Sequence, residues 1–380
     1  MSIKKLRIGI DTFGCNHGMS GLGSYLFELM NNIVPTQDCE FVLFGPELDR
    51  YTYPTSSNNI FFEGINLSDT DFAKKLWHKT HLKHFVKKNK FDAVLYVSGF
   101  RYLPLNLTIP SFLVVSDVQN TNNIFSNLYI RHIISQVKGF ITPSKYVKTS
   151  LLNLGVPSSK VSVIHNGVNL NAFKPMELEN KDIVFVQPFS IKRPYIIYAS
   201  SLADSSKSHV ELIRAFNIFK KKTGSSHRLV LAGTEGASTE IVRKEVIHSH
   251  YSSDILLTGY FPHDALNKLY CAADICVFPS RNEGSCLSVL EAIASGIPAA
   301  CSNEGALKEI LKDAAIYFDS TSPNDIADVI EKLVNKEENS VLREEMIKKG
   351  LACASQYSWK TTAKETVEYI ISQLEECVTS

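Results

Sequence analysis

Short apolar runs alternate with longer amphipathic stretches along most of the chain. Leu6-Arg7-Ile8-Gly9-Ile10 predicts a first buried strand. A glycine-rich turn over 18–24 follows, and Leu22, Leu26, Leu29, Met30 and Ile33 then fall at helical spacing. Residues 41–45, 91–96, 111–115, 139–143 and 161–164 read as further strands of the same kind. Between about 170 and 193 the pattern breaks, and Pro175, Pro188 and Pro194 amid mixed charge mark a connector. Strands restart at 195–198, 228–233, 255–259 and 275–279. Strand and helix in alternation predict parallel sheets with helices on both faces. The expected fold is α/β, with two Rossmann-like, doubly wound domains over 1–180 and 190–357. Ligands of such sheets gather beyond the carboxyl ends of the strands, so two halves face to face would enclose a cleft.

Composition narrows the classes. With 380 residues, 44% hydrophobic and 21% charged, the chain is a folded protein of about two domains. Its 40 basic and 39 acidic residues nearly cancel to +1, which argues against a nucleic-acid partner. Eight cysteines include no C-x-x-C pair and no zinc-like spacing, and they lie among apolar neighbours as buried thiols do. The first apolar burst stops at Asp11, short of the roughly 7–15 residues of a signal-peptide core. No apolar run reaches the roughly 18 residues of a spanning helix. A soluble protein of the reducing cytoplasm is expected.

The strongest chemical signal is the stretch from Pro279 to Pro298, PSRNEGSCLSVLEAIASGIP. A strand ends at Pro279, a glycine-containing loop follows, and a helix starts near Cys286 or Leu287. Gly296 and Pro298 close that helix. The backbone N–H groups of Leu287, Ser288 and Val289, together with the helix dipole, form an anion site suited to a diphosphate. Glu283 lies ahead of the helix, where it can accept hydrogen bonds from sugar hydroxyls. Glu291 lies about 6 Å along the axis, at about 1.5 Å per residue, roughly the offset from a diphosphate to a ribose. The plainer alternative makes Glu283 an N-terminal cap and Glu291 part of an exposed helix face.

The two glutamates within EGSCLSVLEAIASGIP resemble the donor-binding motif of retaining GT-B glycosyltransferases of family four. The resemblance extends to ITPSKYVKTSLLNLGVPSSKVSVIHNGVNLNAF, to YASSLADSSKSHVELIRAFNIF, to DILLTGYFPHDALNKLYCAADICVFPS and to the terminal YSWKTTAKETVEYI. It implies a GT-B fold whose last helix, about 358–380, returns to the first domain. It implies that Glu283 holds donor-sugar hydroxyls, aided by Gly284 and the backbone of Ser285, Cys286 and Leu287, and that Glu291 holds the ribose, with Ser288 at the diphosphate end of the helix. Lys207 matches the lysine that neutralises the diphosphate, where a cation is needed because the leaving group gains charge. Gly259 and Tyr260 match the base-contacting position, although Tyr260 also reads as a plain core aromatic. Gly21 and Gly23 match a first-domain loop that lies against the diphosphate. That loop alone would also suit a nicotinamide cofactor, but the next strand ends in Gly45-Pro46 rather than in an acid.

Two positions depart from the family pattern. Ser201 stands where an arginine is usual, and Ser116-Asp117 stands where a histidine–aspartate pair is usual on the acceptor side. Arg281 is a candidate replacement for the missing cation. The resemblance further implies transfer with retention by front-face attack, a nucleotide-diphosphate sugar as donor, no cofactor and no metal. The acceptor would be a glycan or lipid-linked sugar of cell-surface polysaccharide or lipopolysaccharide. Residues 71–90, with seven lysines against one aspartate and with Phe72, Leu76, Leu82, Phe85 and Val86, read as a basic amphipathic helix. That helix would rest on the inner face of a membrane, or else pack as an ordinary surface helix. Non-catalytic binding of a sugar nucleotide and nucleotide-sugar epimerisation are the competing readings.

Overall fold

The computed structural model of the chain describes all residues except 1–4, 35–38, 56–58, 118–123, 179–181, 204, 262 and 380. Residues 1–4 of the amino-terminal segment and the Cys377 side chain, both used above, lie outside the described set. Two compact units form, Met1–Gly167 with Trp359–Ser380, and Val168–Ser358.

The first unit is built in the order β1 (Leu6–Asp11), α1 (Gly21–Asn32), β2 (Cys39–Pro46), β3 (Ile60–Ile65), α2 (Asp71–Thr80), α3 (Leu82–Lys88), β4 (Ala93–Tyr96), β5 (Ser111–Val114), α4 (Ile124–Gln136), β6 (Gly139–Thr142), α5 (Lys145–Asn153) and β7 (Val161–Val163). Its seven strands are parallel in the order β3-β2-β1-β4-β5-β6-β7. Ile8 faces Phe41 on one side and Ala93 on the other, so the chain reverses its winding at β1. Both sheet faces are covered, which is why β4, β5 and β6 are wholly buried apolar runs. Helices start where side chains cap them: Ser20 accepts from the Gly23 N–H at 3.1 Å, and Ser144 accepts from the Val147 N–H at 3.3 Å. The segment 71–90 is two helices rather than one. Leu82 and Val86 are buried, and Trp77 packs 5.4 Å from Phe13 and 5.5 Å from Phe85, so most of its apolar side serves the core.

The second unit runs β8 (Ile183–Val186), β9 (Phe189–Lys192), β10 (Tyr195–Ala199), α6 (His209–Thr223), β11 (Arg228–Ala232), α7 (Thr239–His248), β12 (Ile255–Gly259), α8 (His263–Ala272), β13 (Ile275–Phe278), α9 (Leu287–Ala294), β14 (Ala299–Ser302), α10 (Leu307–Leu311), β15 (Ile316–Phe318), α11 (Pro323–Val334) and α12 (Ser340–Ala354). Six parallel strands lie in the order β12-β11-β10-β13-β14-β15. The expected connector is instead an antiparallel pair, β8 with β9, in which Ile183 and Phe185 are exposed while Val184 and Val186 are buried. The final helix α13 (Trp359–Thr379) belongs to the first unit. There Trp359 packs edge-on to Tyr25, the Thr362 hydroxyl donates to the His165 carbonyl at 2.7 Å, and the Tyr369 hydroxyl donates to the Lys160 carbonyl at 2.7 Å.

Candidate donor site in the second unit

The carboxyl ends of β12, β11, β10 and β13 lie side by side in that order, and the chain gathers polar groups there. Beyond β10 the Ser200 N–H donates to the Ala232 carbonyl at 2.8 Å, and the Gly233 N–H donates to the Gly259 carbonyl at 2.9 Å. A Cβ on Gly233 would stand 2.0 Å from the Ser200 carbonyl oxygen, so only glycine lets these strand ends approach. Ser201 therefore lies just past the end of β10 and Gly259 at the end of β12, on either side of β11. Tyr260, at 42% exposure, is not a core aromatic.

Lys207 closes a short turn, Ser205–Lys207, ahead of α6. That turn is tied to the end of β13. The buried Tyr198 hydroxyl is 2.8 Å from the Ser280 hydroxyl and donates to the Lys207 carbonyl at 3.0 Å. The Arg281 N–H donates to the Ser206 carbonyl at 2.8 Å. Burial, partly offset by the Lys207 charge, pushes the Tyr198 phenol up to about 12, so it stays a donor. The Arg281 guanidinium donates to the Ser208 hydroxyl at 3.2 Å and to Glu211 at 3.4 Å. It braces the turn that carries Lys207.

The Lys207 ammonium donates to Glu283 Oε2 at 2.8 Å, with the two side chains only 20% and 16% exposed. Glu283 Oε1 accepts from the Cys286 N–H at 3.3 Å and lies 3.5 Å from the Ser285 hydroxyl. Glu283 thus holds the N–H of Cys286, the residue just ahead of the helix, and also pairs with the lysine; no side chain caps α9 itself. Helix α9 begins at Leu287, and the Leu290 N–H donating to the Cys286 carbonyl is its first full turn. The N–H groups of Leu287, Ser288 and Val289 precede that turn and point out of the helix end. Glu291 is 9% exposed, so it belongs to no exposed helix face. Gly284 is buried in the loop, and the Ser288 carbonyl accepts from the Tyr270 hydroxyl at 3.2 Å. Cys286, at φ 54, is fully covered, and burial with the nearby Glu283 charge raises its thiol well above the usual value. It is an inert packing residue. Gly296 follows the helix at φ +80, the left-handed closing position its sequence context predicts.

The structure therefore brings Lys207, Glu283, Gly284, Ser285, Cys286 and the start of α9 together, with Glu291 on the same helix and with Ser201 and Gly259 at the ends of β10 and β12, which flank β11. Gly21, Gly23, Ser116 and Asp117 belong to the first unit. There Gly23 is required by packing, because a Cβ would lie 2.5 Å from the Cys15 carbonyl oxygen, whereas Gly21 faces open space. Ser116 is half-buried and Asp117 exposed just past β5. Sequence reasoning missed Tyr198, Ser280 and Gly233. A tyrosine inside a wholly apolar strand was the one available signal, since a buried phenol needs a partner.

Comparison with known proteins agrees with the fold. Residues 19–172 match the family Glycosyltransferase Family 4, and residues 179–352 match Glycosyl transferases group 1. O-antigen chain mannosyltransferase B of Escherichia coli is 30% identical over 173 residues, which are 46% of this chain and 44% of that protein. O-antigen biosynthesis glycosyltransferase WclY of Escherichia coli is 24% identical over 308 residues, covering 75% of this chain and 79% of that one. The chain spans about half the length of several curated relatives that it matches. Among solved structures, Anabaena HepE in complex with UDP and glucose superposes at a TM-score of 0.71 and 15% identity, over 97% of this chain and all of that one, and shares its fold. With both halves matched and the fold shared, the chain belongs to the family-four-like glycosyltransferases of the GT-B fold.

Proposed function

We propose that this chain is a retaining glycosyltransferase that moves a sugar from a nucleotide-diphosphate donor to a glycan or lipid-linked acceptor in cell-surface polysaccharide or lipopolysaccharide assembly. The observation that carries this reading is the Lys207–Glu283 pair at the amino end of α9. A cation and outward N–H groups are arranged there to take a pyrophosphate, with one carboxylate ahead of it and Glu291 one turn along. The relatives support the reading by what their names say: two act in O-antigen synthesis, one of them as a mannosyltransferase, and HepE binds UDP and glucose. In the proposed step the bond from the anomeric carbon to the donor phosphate breaks, and the acceptor oxygen bonds that carbon on the same face. The acceptor proton passes to a donor phosphate oxygen. No side chain is a nucleophile and no metal is needed, so transfer should persist in EDTA.

Thermal-shift titration against UDP-, GDP- and ADP-sugars tests the donor class, because stabilisation rises with donor concentration over dissociation constant. Transfer by the wild type, with loss in Glu283→Ala and Lys207→Ala, is the expected result. Binding without transfer or slow donor hydrolysis would instead favour the competing reading, a non-catalytic sugar-nucleotide-binding protein, to which the Ser201 and Ser116 departures point. No helix among the described residues is long and apolar enough to cross a membrane. Contact with the inner face of a membrane through α2 and α3 belongs to the same proposal. Phe72 and Leu76 are exposed there beside Lys75, Lys79, Lys83, Lys87 and Lys88. Flotation with anionic liposomes should weaken when Lys83, Lys87 and Lys88 are neutralised, and unchanged flotation removes that part.

A further inference from the structure

Resting on the donor-site reading, we propose that Gly305 is a positioning residue for Glu283, set on a fixed turn that supports the glutamate's backbone. Strand β14 ends at Ser302, whose fully buried hydroxyl donates to the Ser280 carbonyl at 2.5 Å. The Glu304 N–H donates to the Ser302 hydroxyl oxygen at 3.3 Å. On the far side the Asn303 N–H donates to the Phe318 carbonyl at 3.1 Å, and the buried Ser320 hydroxyl donates to Glu304 Oε1 at 2.7 Å. The turn is thus held from both β13 and β15.

From this turn the Ala306 N–H reaches the Glu283 carbonyl at 2.7 Å. Beside it Gly305 sits at φ +68, and an added Cβ would stand 2.8 Å from both the backbone N and the carbonyl O of Glu283. Those are main-chain atoms, which cannot swing aside as a flexible side-chain tip can. Any side chain at 305 therefore displaces either the turn or Glu283 by several tenths of an ångström. Three hydrogen bonds tie the turn to its surroundings and a fourth closes it on itself, so the shift falls on Glu283, whose carboxylate must reach Lys207 and the Cys286 N–H at once. Misplacing a substrate-binding group by about 1 Å can cost on the order of 100-fold.

The test is isothermal titration of wild type, Gly305→Ala and Gly305→Asn with UDP, GDP and ADP, each with and without an attached hexose. Asparagine tolerates the left-handed backbone better than alanine, yet both carry the Cβ. Both variants should bind the sugar nucleotide about tenfold more weakly, a shift smaller than 1 Å being at work. Binding of the sugar-free diphosphate should change by less than about twofold, and the tenfold loss should vanish in a Glu283→Ala background. Wild-type behaviour of Gly305→Asn, an equal loss on both ligand forms, or an undiminished loss without Glu283 overturns the proposal. Ser302→Ala, which removes the bond to the Ser280 carbonyl and the one accepted from the Glu304 N–H, gives the same readings should Gly305→Ala fail to fold. If wild type binds none of these nucleotides, the donor-site reading falls and takes this proposal with it. Firm wild-type binding with unaltered Gly305 variants overturns the positioning role alone.

Discussion

Glu283 divides its two carboxylate oxygens between a lysine ammonium and the N–H of Cys286 just ahead of α9, so its orientation is fixed from two sides. Arg281 works one step further out, through Ser208 and Glu211. Arg281→Met should therefore lower turnover by loosening the Lys207 turn. A lost charge-assisted bond of about 1.5–3 kcal/mol sets the upper limit of that loss, near a hundredfold. Nucleoside-diphosphate affinity measured against salt should keep the wild-type slope, because no phosphate contact is removed. A flattened slope would make Arg281 a phosphate ligand after all. Glu283 and Glu291 stand out in the sequence by local spacing, and Lys207 by resemblance alone. Tyr198, Ser280 and Gly305 do not, because each acts on a residue far along the chain, and the pairing of β10 with β13 and of β13 with β14 decides what they touch.

At the scale of elements, the strands read from the sequence were the continuous apolar runs, whose burial on both faces leaves no ambiguity. Strand β3 escaped notice because Glu63 and Gly64 interrupt its run on a half-covered edge, and β14 because Ala299-Ala300-Cys301-Ser302 carries little bulk. The β8–β9 pair escaped because prolines and charges flank it. Entry into β13, the strand that delivers Ser280, is fixed by Asp274. Its carboxylate is nearly buried and accepts from His227 at 2.9 Å and from Lys336. Burial alone would raise its pKa, but the bonds from His227 and Lys336 outweigh that and hold it below the usual 3.8. A folded-state pKa below the unfolded one adds stability above the unfolded value, and that stability is lost as pH falls through the folded value. Asp274→Asn should cost about 3 kcal/mol near neutral pH, as breaking a buried pair does. The gap to wild type in urea unfolding should close as pH drops below about 4. A gap independent of pH would assign the loss to packing.

For the molecule as a whole, the chain's last helix completes the first of the two units rather than the one it follows. Trp359, Ala363 and Ile370 are buried, and Tyr369 lies so close over β6 that a Cβ on Gly139 would stand 2.6 Å from its hydroxyl. Fully burying an aromatic or aliphatic side chain is worth about 1.5–3 kcal/mol, so these residues together rival a small domain's net stability. Removing residues 359–380 should therefore make 6–167 susceptible to limited proteolysis while 168–358 stays resistant. Equal resistance of both halves would show that α13 adds little. The two-domain, parallel-sheet plan was legible from alternating periods, whereas the helix's return rested on resemblance, since hydrophobic spacing does not say which sheet a helix covers.

The most direct measurement is a crystal structure of the chain with UDP, GDP or ADP bound. The pyrophosphate is expected within hydrogen-bonding distance of the Leu287–Val289 N–H groups and the Lys207 ammonium, with the ribose hydroxyls on Glu291. A nucleotide seated elsewhere, with the Lys207–Glu283 pair intact and the start of α9 untouched, would contradict the account.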